Sequence, residues 1–269
     1  MTHSWQTATV ASGGESIYYE VIGADDAPVV VLTHGAGGSH AAWFQQVPAL
    51  AAAGYRVITW DSRGFGLSTY DSGVLGADAA VADLTAVLDA VGVERAHLVG
   101  QSMGGWWVTA FALAYPSRVL SLTLSNTIGG LWTDALFQHF ASFVAAAPDA
   151  DGSRLGVHSA LGVSFVTRDP ARAFLYQQLN TFHTPPLAAI AGALGGARVE
   201  HADLDALGIA TLVITGSDDV LFPAALVRDS AAQLTKATIV EIADAGHSPY
   251  FERPAEYNAA LLQHLGGTR

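Results

Sequence analysis

Three side chains far apart in the 269-residue sequence are of the types needed for acyl transfer: a hydroxyl, an imidazole and a carboxylate. The hydroxyl is that of Ser102, inside Gly100-Gln101-Ser102-Met103-Gly104. That stretch fits G-x-S-x-G, a serine displayed on a sharp strand-to-helix turn. A serine hydroxyl is a weak nucleophile near neutral pH and needs a base within hydrogen-bond reach, itself held by a third group. His247, in Ala245-Gly246-His247-Ser248-Pro249, offers the imidazole, and Asp218 and Asp219 compete for the carboxylate. The order serine, acid, histidine is the one this architecture uses. Glycine at 100 and 104 leaves room for other backbone beside the turn. The helix opening at Met103 points free N–H groups and a positive dipole end at charge developing on the substrate.

These groups need a frame that gathers them. Thr7 to Ala11 and Ser16 to Ile22 read as a hairpin about Gly13-Gly14. Val29 to Thr33 is a continuous apolar run of the kind buried in a parallel sheet. It stops at His34-Gly35-Ala36-Gly37-Gly38. A helix is expected over Ala41 to Ala53, a strand over Tyr55 to Trp60, a helix over Ala77 to Val91, and a strand at His97 to Val99 leading into the Ser102 turn. A helix from Met103 to Tyr115 and a strand from Val119 to Leu124 follow. Alternation then breaks, with helical patches at Asp134 to Ala147 and Pro170 to Phe182, and breakers at Pro148, Pro185-Pro186 and Gly195-Gly196. It resumes with strands at Ala210 to Thr215 and Thr238 to Ile242 and helices at Ala224 to Leu234 and Pro254 to Leu265. The expected fold is α/β, a mostly parallel twisted sheet flanked by helices, with a helical cap inserted late. Residues 1–126 and 204–269 form the core in two parts, and 127–203 the cap. Each candidate group then sits at the carboxyl end of a strand, where such sheets collect their sites.

Composition narrows the choices. Hydrophobic residues make up 51% and charged ones 13%, enough for a large core. The net charge of −12 and pI near 5.0 disfavour nucleic acid and anionic membrane surfaces as partners. With no cysteine there can be no disulfide, thiolate metal site or cysteine nucleophile. Met1 to Val10 shows no signal-peptide pattern, and no apolar run reaches membrane-spanning length, so a cytoplasmic protein is expected. The ten histidines are scattered without ligand spacing, and no phosphate-cradling motif is present. His139, His158, His183 and His201 read as solvated or packing residues. No cofactor and no metal are expected.

The chain resembles the α/β-hydrolase superfamily over nearly all its length outside the cap. His34-Gly35 resembles that family's His-Gly oxyanion loop, and Asp61-x-Arg63-Gly64-x-Gly66-x-Ser68 its strand-to-loop signature. Gly246-His247 with Glu252-Arg253-Pro254 resembles its histidine segment. The resemblance implies Ser102 as nucleophile and His247 as general base, then acid. It favours Asp219 over Asp218, because Gly216, Asp219 and Pro223 match the family spacing. Some relatives carry the acid after the preceding strand, where this chain reads Leu124-Ser125-Asn126-Thr127 and has no carboxylate. Oxyanion donors would be the backbone N–H groups of Met103 and Ala36, with Gly37 an alternative to the latter. His34, Asp61 and Arg63 would brace the neighbouring loops.

Small capped esterases, lactonases and carbon–carbon bond hydrolases of bacterial catabolism are the nearest in pattern. The cap is rich in aromatic residues, of which Trp132, Phe137 and Phe140 are the candidates for lining the substrate pocket. A small hydrophobic ester or lactone is the expected substrate, handled by a monomer or homodimer. Carbon–carbon bond hydrolysis and cofactor-free perhydrolysis would use the same residues. A non-catalytic, receptor-like binding protein is the reading from another class. Such proteins often lose a triad member, and here all three candidates are present.

Overall fold

The computed structural model describes residues 4–146, 158–181 and 185–268. Ala147, Pro148, Phe182 and His183, named above, lie outside the described residues. The hairpin forms between β1 (Trp5–Ser12) and β2 (Glu15–Ile22), joined by the two-residue turn Gly13-Gly14. β3 (Val29–Thr33), β4 (Arg56–Trp60), β5 (Ala96–Gln101), β6 (Val119–Ser125), β7 (Thr211–Gly216) and β8 (Ala237–Ile242) complete one eight-stranded sheet. Its order is β1-β2-β4-β3-β5-β6-β7-β8, with β1 and β2 antiparallel and β3 to β8 mutually parallel.

The apolar run of β3 is buried throughout because both faces of the sheet are covered. Successive side chains point to opposite faces. Val29 and Val31 therefore join one core with Leu84, Val87 and Phe111, while Val30 and Leu32 join another with Leu50, Tyr257 and Leu261. Strand order reverses direction between β3 and β5. A crevice opens at such a switch point, outside the carboxyl ends of the strands.

The helices of the first part are α1 (Gln46–Ala52), α2 (Ala77–Val91) and α3 (Met103–Ala114). The helix expected over 41–53 is two pieces, a 3-10 turn at His40–Trp43 and then α1. Pro48 explains the break: it has no N–H to give Phe44 C=O, so it is tolerated only in a first helical turn. Between β6 and β7 lie α4 (Asp134–Ala146), α5 (Val163–Arg168), α6 (Pro170–Leu179), α7 (Leu187–Gly196) and α8 (His201–Ala206). The breakers Pro185-Pro186 and Gly195-Gly196 bracket α7, and α8 spans the boundary expected at 203/204. After β7 come α9 (Ala224–Ala231), then, beyond β8, the short α10 (Pro249–Glu252) and α11 (Pro254–Gly266). Among the described residues no helix is long and apolar enough to cross a membrane.

Candidate active site

Ser102 stands between β5 and α3 with φ 48° and ψ −120°, a conformation few non-glycine residues adopt. The neighbouring loops hold it there. Ser102 N–H donates to Ser125 O on β6 (3.0 Å), and Gly105 N–H donates to Ser102 O (2.8 Å). A methyl group on Gly104 would collide with the carbonyl oxygen of Thr33 at the end of β3. One on Gly35 would strike the Gln101 side chain and come within 2.9 Å of Ser102 Cβ. The Gly35–Gly38 loop thus lies directly against the serine. Ala36 N–H and Met103 N–H make no hydrogen bond among the described residues; Met103, first in α3, has no intrahelical acceptor.

His247 and Asp219 are both buried and meet: Nδ1 lies 2.9 Å from Asp219 Oδ2. A carboxylate oxygen accepts, so Nδ1 carries the hydrogen and Nε2 is left with its lone pair. Nε2 is buried and makes no hydrogen bond, to Ser102 or to any other described side chain. Asp219 Oδ1 accepts from Leu221 N–H (2.8 Å) and Phe222 N–H (3.0 Å). Asp218 is exposed and takes the hydroxyl of Ser217 (2.7 Å). Of the two aspartates, Asp219 is therefore the one in contact with the imidazole.

Three bracing residues named from the sequence fill their places by hydrogen bonding. His34 donates from Nδ1 to Gly35 O (2.7 Å) and accepts Ser62 N–H at Nε2 (3.0 Å). Burial pushes its pKa below the usual histidine value, so it is a neutral strut between two loops. Asp61 accepts from His40 N–H (2.6 Å), the His40 ring and Leu67 N–H (2.8 Å). Arg63 makes a buried two-pronged contact with Asp83 (2.6 and 2.8 Å).

Several residues at the site had no role in the sequence reading. Gln101 Nε2 donates to His247 O (3.1 Å). Glu252 accepts Gly246 N–H on Oε1 (2.9 Å) and Gly162 N–H on Oε2 (3.0 Å), joining the histidine loop to the segment between β6 and β7. Burial raises its pKa to about 7 against those two donors. Asn126 Nδ2 donates to Asp219 Oδ2 (2.9 Å). His158, expected to be solvated or packing, accepts Ala160 N–H at Nδ1 (3.1 Å) and meets Tyr176 edge-on at 5.1 Å. Burial, then the neighbouring His247, lowers its pKa to about 4. Tyr176 in turn hydrogen-bonds Ser248 (2.8 Å), next to His247. A Glu two residues before Pro254 and a Gln before the serine were visible, but single polar residues carry no spacing signal.

The aromatic candidates form a chain of rings. Phe222, which the sequence reading passed over, lies 5.7 Å from the His247 ring. Phe140 stacks on Phe222 at 5.6 Å with planes 5° apart. Trp132 touches Phe140 (5.5 Å) and Trp106 (5.8 Å). Phe137 meets Trp132 (5.6 Å) and carries the Arg198 guanidinium over its ring, with 40% of its surface exposed. Phe140 is thus one ring removed from His247, and Phe137 stands outermost. Among the described residues no group of three or more His, Asp or Glu could hold a metal ion.

A parallel sheet with a strained serine turn at its switch point and a histidine–aspartate pair at later strand ends defines a class, and the chain belongs to it. It is a member of the α/β-hydrolase fold family, whose profile matches residues 28–254. The protein is therefore a hydrolase. It is 34% identical over 259 residues to a Variovorax paradoxus protein named as a carbamate hydrolase, RutD, covering 93% of this chain and 96% of that one. It is 30% identical over 260 residues to 3-oxoadipate enol-lactonase 1 of Acinetobacter baylyi, 91% of each chain. A thermophilic esterase from Thermogutta terrifontis superposes with a TM-score of 0.82 at 25% identity, over 98% of this chain and 99% of that one.

Proposed function

We propose that the protein hydrolyses small carboxylic esters or lactones with an apolar acyl or alcohol group. Ser102 is the nucleophile, His247 the general base and then acid, and Asp219 the group that orients it. The helical segment between β6 and β7 is the cap. Ser102 Oγ attacks the ester carbonyl carbon while its proton passes to His247 Nε2. The carbonyl oxygen takes the developing negative charge toward Met103 N–H and Ala36 N–H. His247 then gives the proton to the leaving alkoxide, freeing the alcohol and leaving Ser102 acylated. Water, deprotonated by the same nitrogen, releases the acid and restores the serine.

The observation that carries this reading is the state of His247. Its Nδ1–H is committed to Asp219, and its buried Nε2 is the unpaired acceptor the first step needs. Leaving such a group unpaired costs about 1–3 kcal/mol, a cost the folded protein bears at the atom that must receive a proton. The Ser102–His247 hydrogen bond is expected to close with substrate in place, as catalytic hydrogen bonds commonly do. Phe222, Phe140 and Trp132 supply the apolar wall beside the imidazole.

A panel of p-nitrophenyl esters, five- and six-membered lactones, and a simple carbamate tests the assignment. Turnover of medium-chain esters or lactones is expected to exceed that of the carbamate. Ser102→Ala is expected to lower kcat by a factor on the order of 10⁵ or more. Equal turnover by wild type and Ser102→Ala removes the serine mechanism, and a preference for the carbamate removes the ester reading.

A further inference from the structure

The end of β6 is the position at which the sequence shows an amide instead of a carboxylate, and the structure gives that amide two acceptors. Asn126 is fully buried, with its backbone in the left-handed region at φ 48° and its N–H bonded to Ile214 O (2.7 Å). Nδ2 donates one hydrogen to Asp219 Oδ2 (2.9 Å) and the other to Gly246 O (3.2 Å). Both partners only accept, so nitrogen and oxygen of the amide are assigned by chemistry. Oδ1 is buried without a partner. A side chain kept only to fill space would not leave an amide oxygen unpaired there.

The consequence falls on Asp219. Oδ1 receives Leu221 N–H and Phe222 N–H, and Oδ2 receives His247 Nδ1–H and Asn126 Nδ2–H. Four donors fill the four lone-pair directions of the carboxylate, so it cannot turn about its Cβ–Cγ bond. The Asn126 donor also draws charge from the oxygen that faces the imidazole. Its other hydrogen fixes the carbonyl of the residue preceding His247.

We propose that Asn126 is a positioning residue for the Ser102–His247–Asp219 relay, an inference that rests on the reading of those three residues given above. It sets the rotation of the Asp219 carboxylate and shares with the imidazole the oxygen Oδ2. It acts through those two groups and takes no part in bond making.

Asn126→Gly keeps the left-handed backbone and removes the amide; Asn126→Asp keeps the shape and replaces a donor with a carboxylate. Both are assayed on the best ester of the panel beside Ser102→Ala and Asp219→Asn. The expected result for Asn126→Gly is a kcat lowered roughly tenfold to hundredfold, the size of one hydrogen bond to a charged group. KM should stay within about twofold. The ascending limb of the kcat/KM pH profile should move toward alkaline pH by about half a unit or more, and further for Asn126→Asp, which adds an anion. The downfield proton resonance of His247 Nδ1–H should shift in both variants. A limb and resonance that stay at their wild-type positions overturn the proposal, even if kcat falls, because that is the pattern of a merely structural role. Asn126→Asp, being isosteric, decides the matter if the glycine variant does not fold. Retained activity in Ser102→Ala ends the relay reading and this proposal together. Loss there, with wild-type profiles in the Asn126 variants, ends this proposal alone.

Discussion

The two sides of the candidate site are made of different interactions. On the sheet side, Asp219, His247, Asn126, Gln101 and Glu252 are buried and joined, directly or through the Gly246–His247 backbone, by hydrogen bonds of 2.9–3.2 Å, and His34 is buried and tied to Gly35 and Ser62. On the side between β6 and β7, Trp132, Phe137 and Phe140 meet one another and Phe222 through ring faces and edges at 5.5–5.6 Å. Hydrogen bonds weaken steeply with angle, so they hold groups in one orientation. Aromatic pairs accept stacked and edge-on arrangements at nearly equal cost and let a wall re-form around different occupants. Orientation on one side and tolerance on the other is the combination that the acyl transfer proposed above would need.

That contrast can be broken at either side. The largest effect is expected on the sheet side from Asp219→Asn, which leaves the shape and reverses the hydrogen bond His247 needs. The kcat should fall by about 10⁴ with the melting temperature little changed. A tenfold loss or less would mean another group orients the imidazole.

Glu252→Gln tests the join between the two sides. The carboxyl is almost fully buried and its pKa is raised from an ordinary 4.5 to about 7. The folded state therefore binds the proton more tightly than the unfolded chain. Stability from this group is full below pH 4.5 and is lost as pH rises through about 7. Thermal unfolding from pH 5 to 8 should show the wild type losing up to about 3 kcal/mol relative to the variant. A constant difference across that range would place the Glu252 titration elsewhere.

On the aromatic side the effects should be smaller and selective. Phe140→Ala is expected to cost about 1–2 kcal/mol in kcat/KM for a medium-chain ester and little for an acetate. Phe137→Ala, at the exposed end of the ring chain, should change either by about 0.5 kcal/mol or less. Equal losses on both esters, or a larger effect at Phe137, would contradict the order of rings leading from His247.

The sheet was readable because both of its faces are covered, so β3, β5 and β7 appear as apolar runs bounded by glycine or polar turns. The serine turn and histidine loop were readable because a sharp turn demands small neighbours at fixed spacing. The split of the helix over 41–53 was missed although Pro48 was in view, since its apolar spacing alone looks continuous. Short helices such as α5, α8 and α10 offer too few turns for a period to emerge. Phe222 was passed over, Asn126 was noted only for lacking a carboxylate and Glu252 only as part of the histidine segment, for another reason. Asn126 meets Asp219 across 93 residues and Glu252 meets Gly162 across 90, and no local pattern records a contact that only the folded chain creates. Of the aromatic candidates, Phe140 lies one ring from His247, while Trp132 and Phe137 stand farther out.

Glu252 grips two main-chain N–H groups, and the backbone of Leu161-Gly162 rests directly on Gly246. Those two bonds read only backbone, while Tyr176 on Ser248 and Arg172 on Phe251 O tie the same two regions together through side chains. Gly162 is a point of close approach between them: a methyl group there would press on Glu252 Oε2 (3.0 Å) and Gly246 N (3.1 Å), so a side chain at 162 would push the segment off the histidine loop.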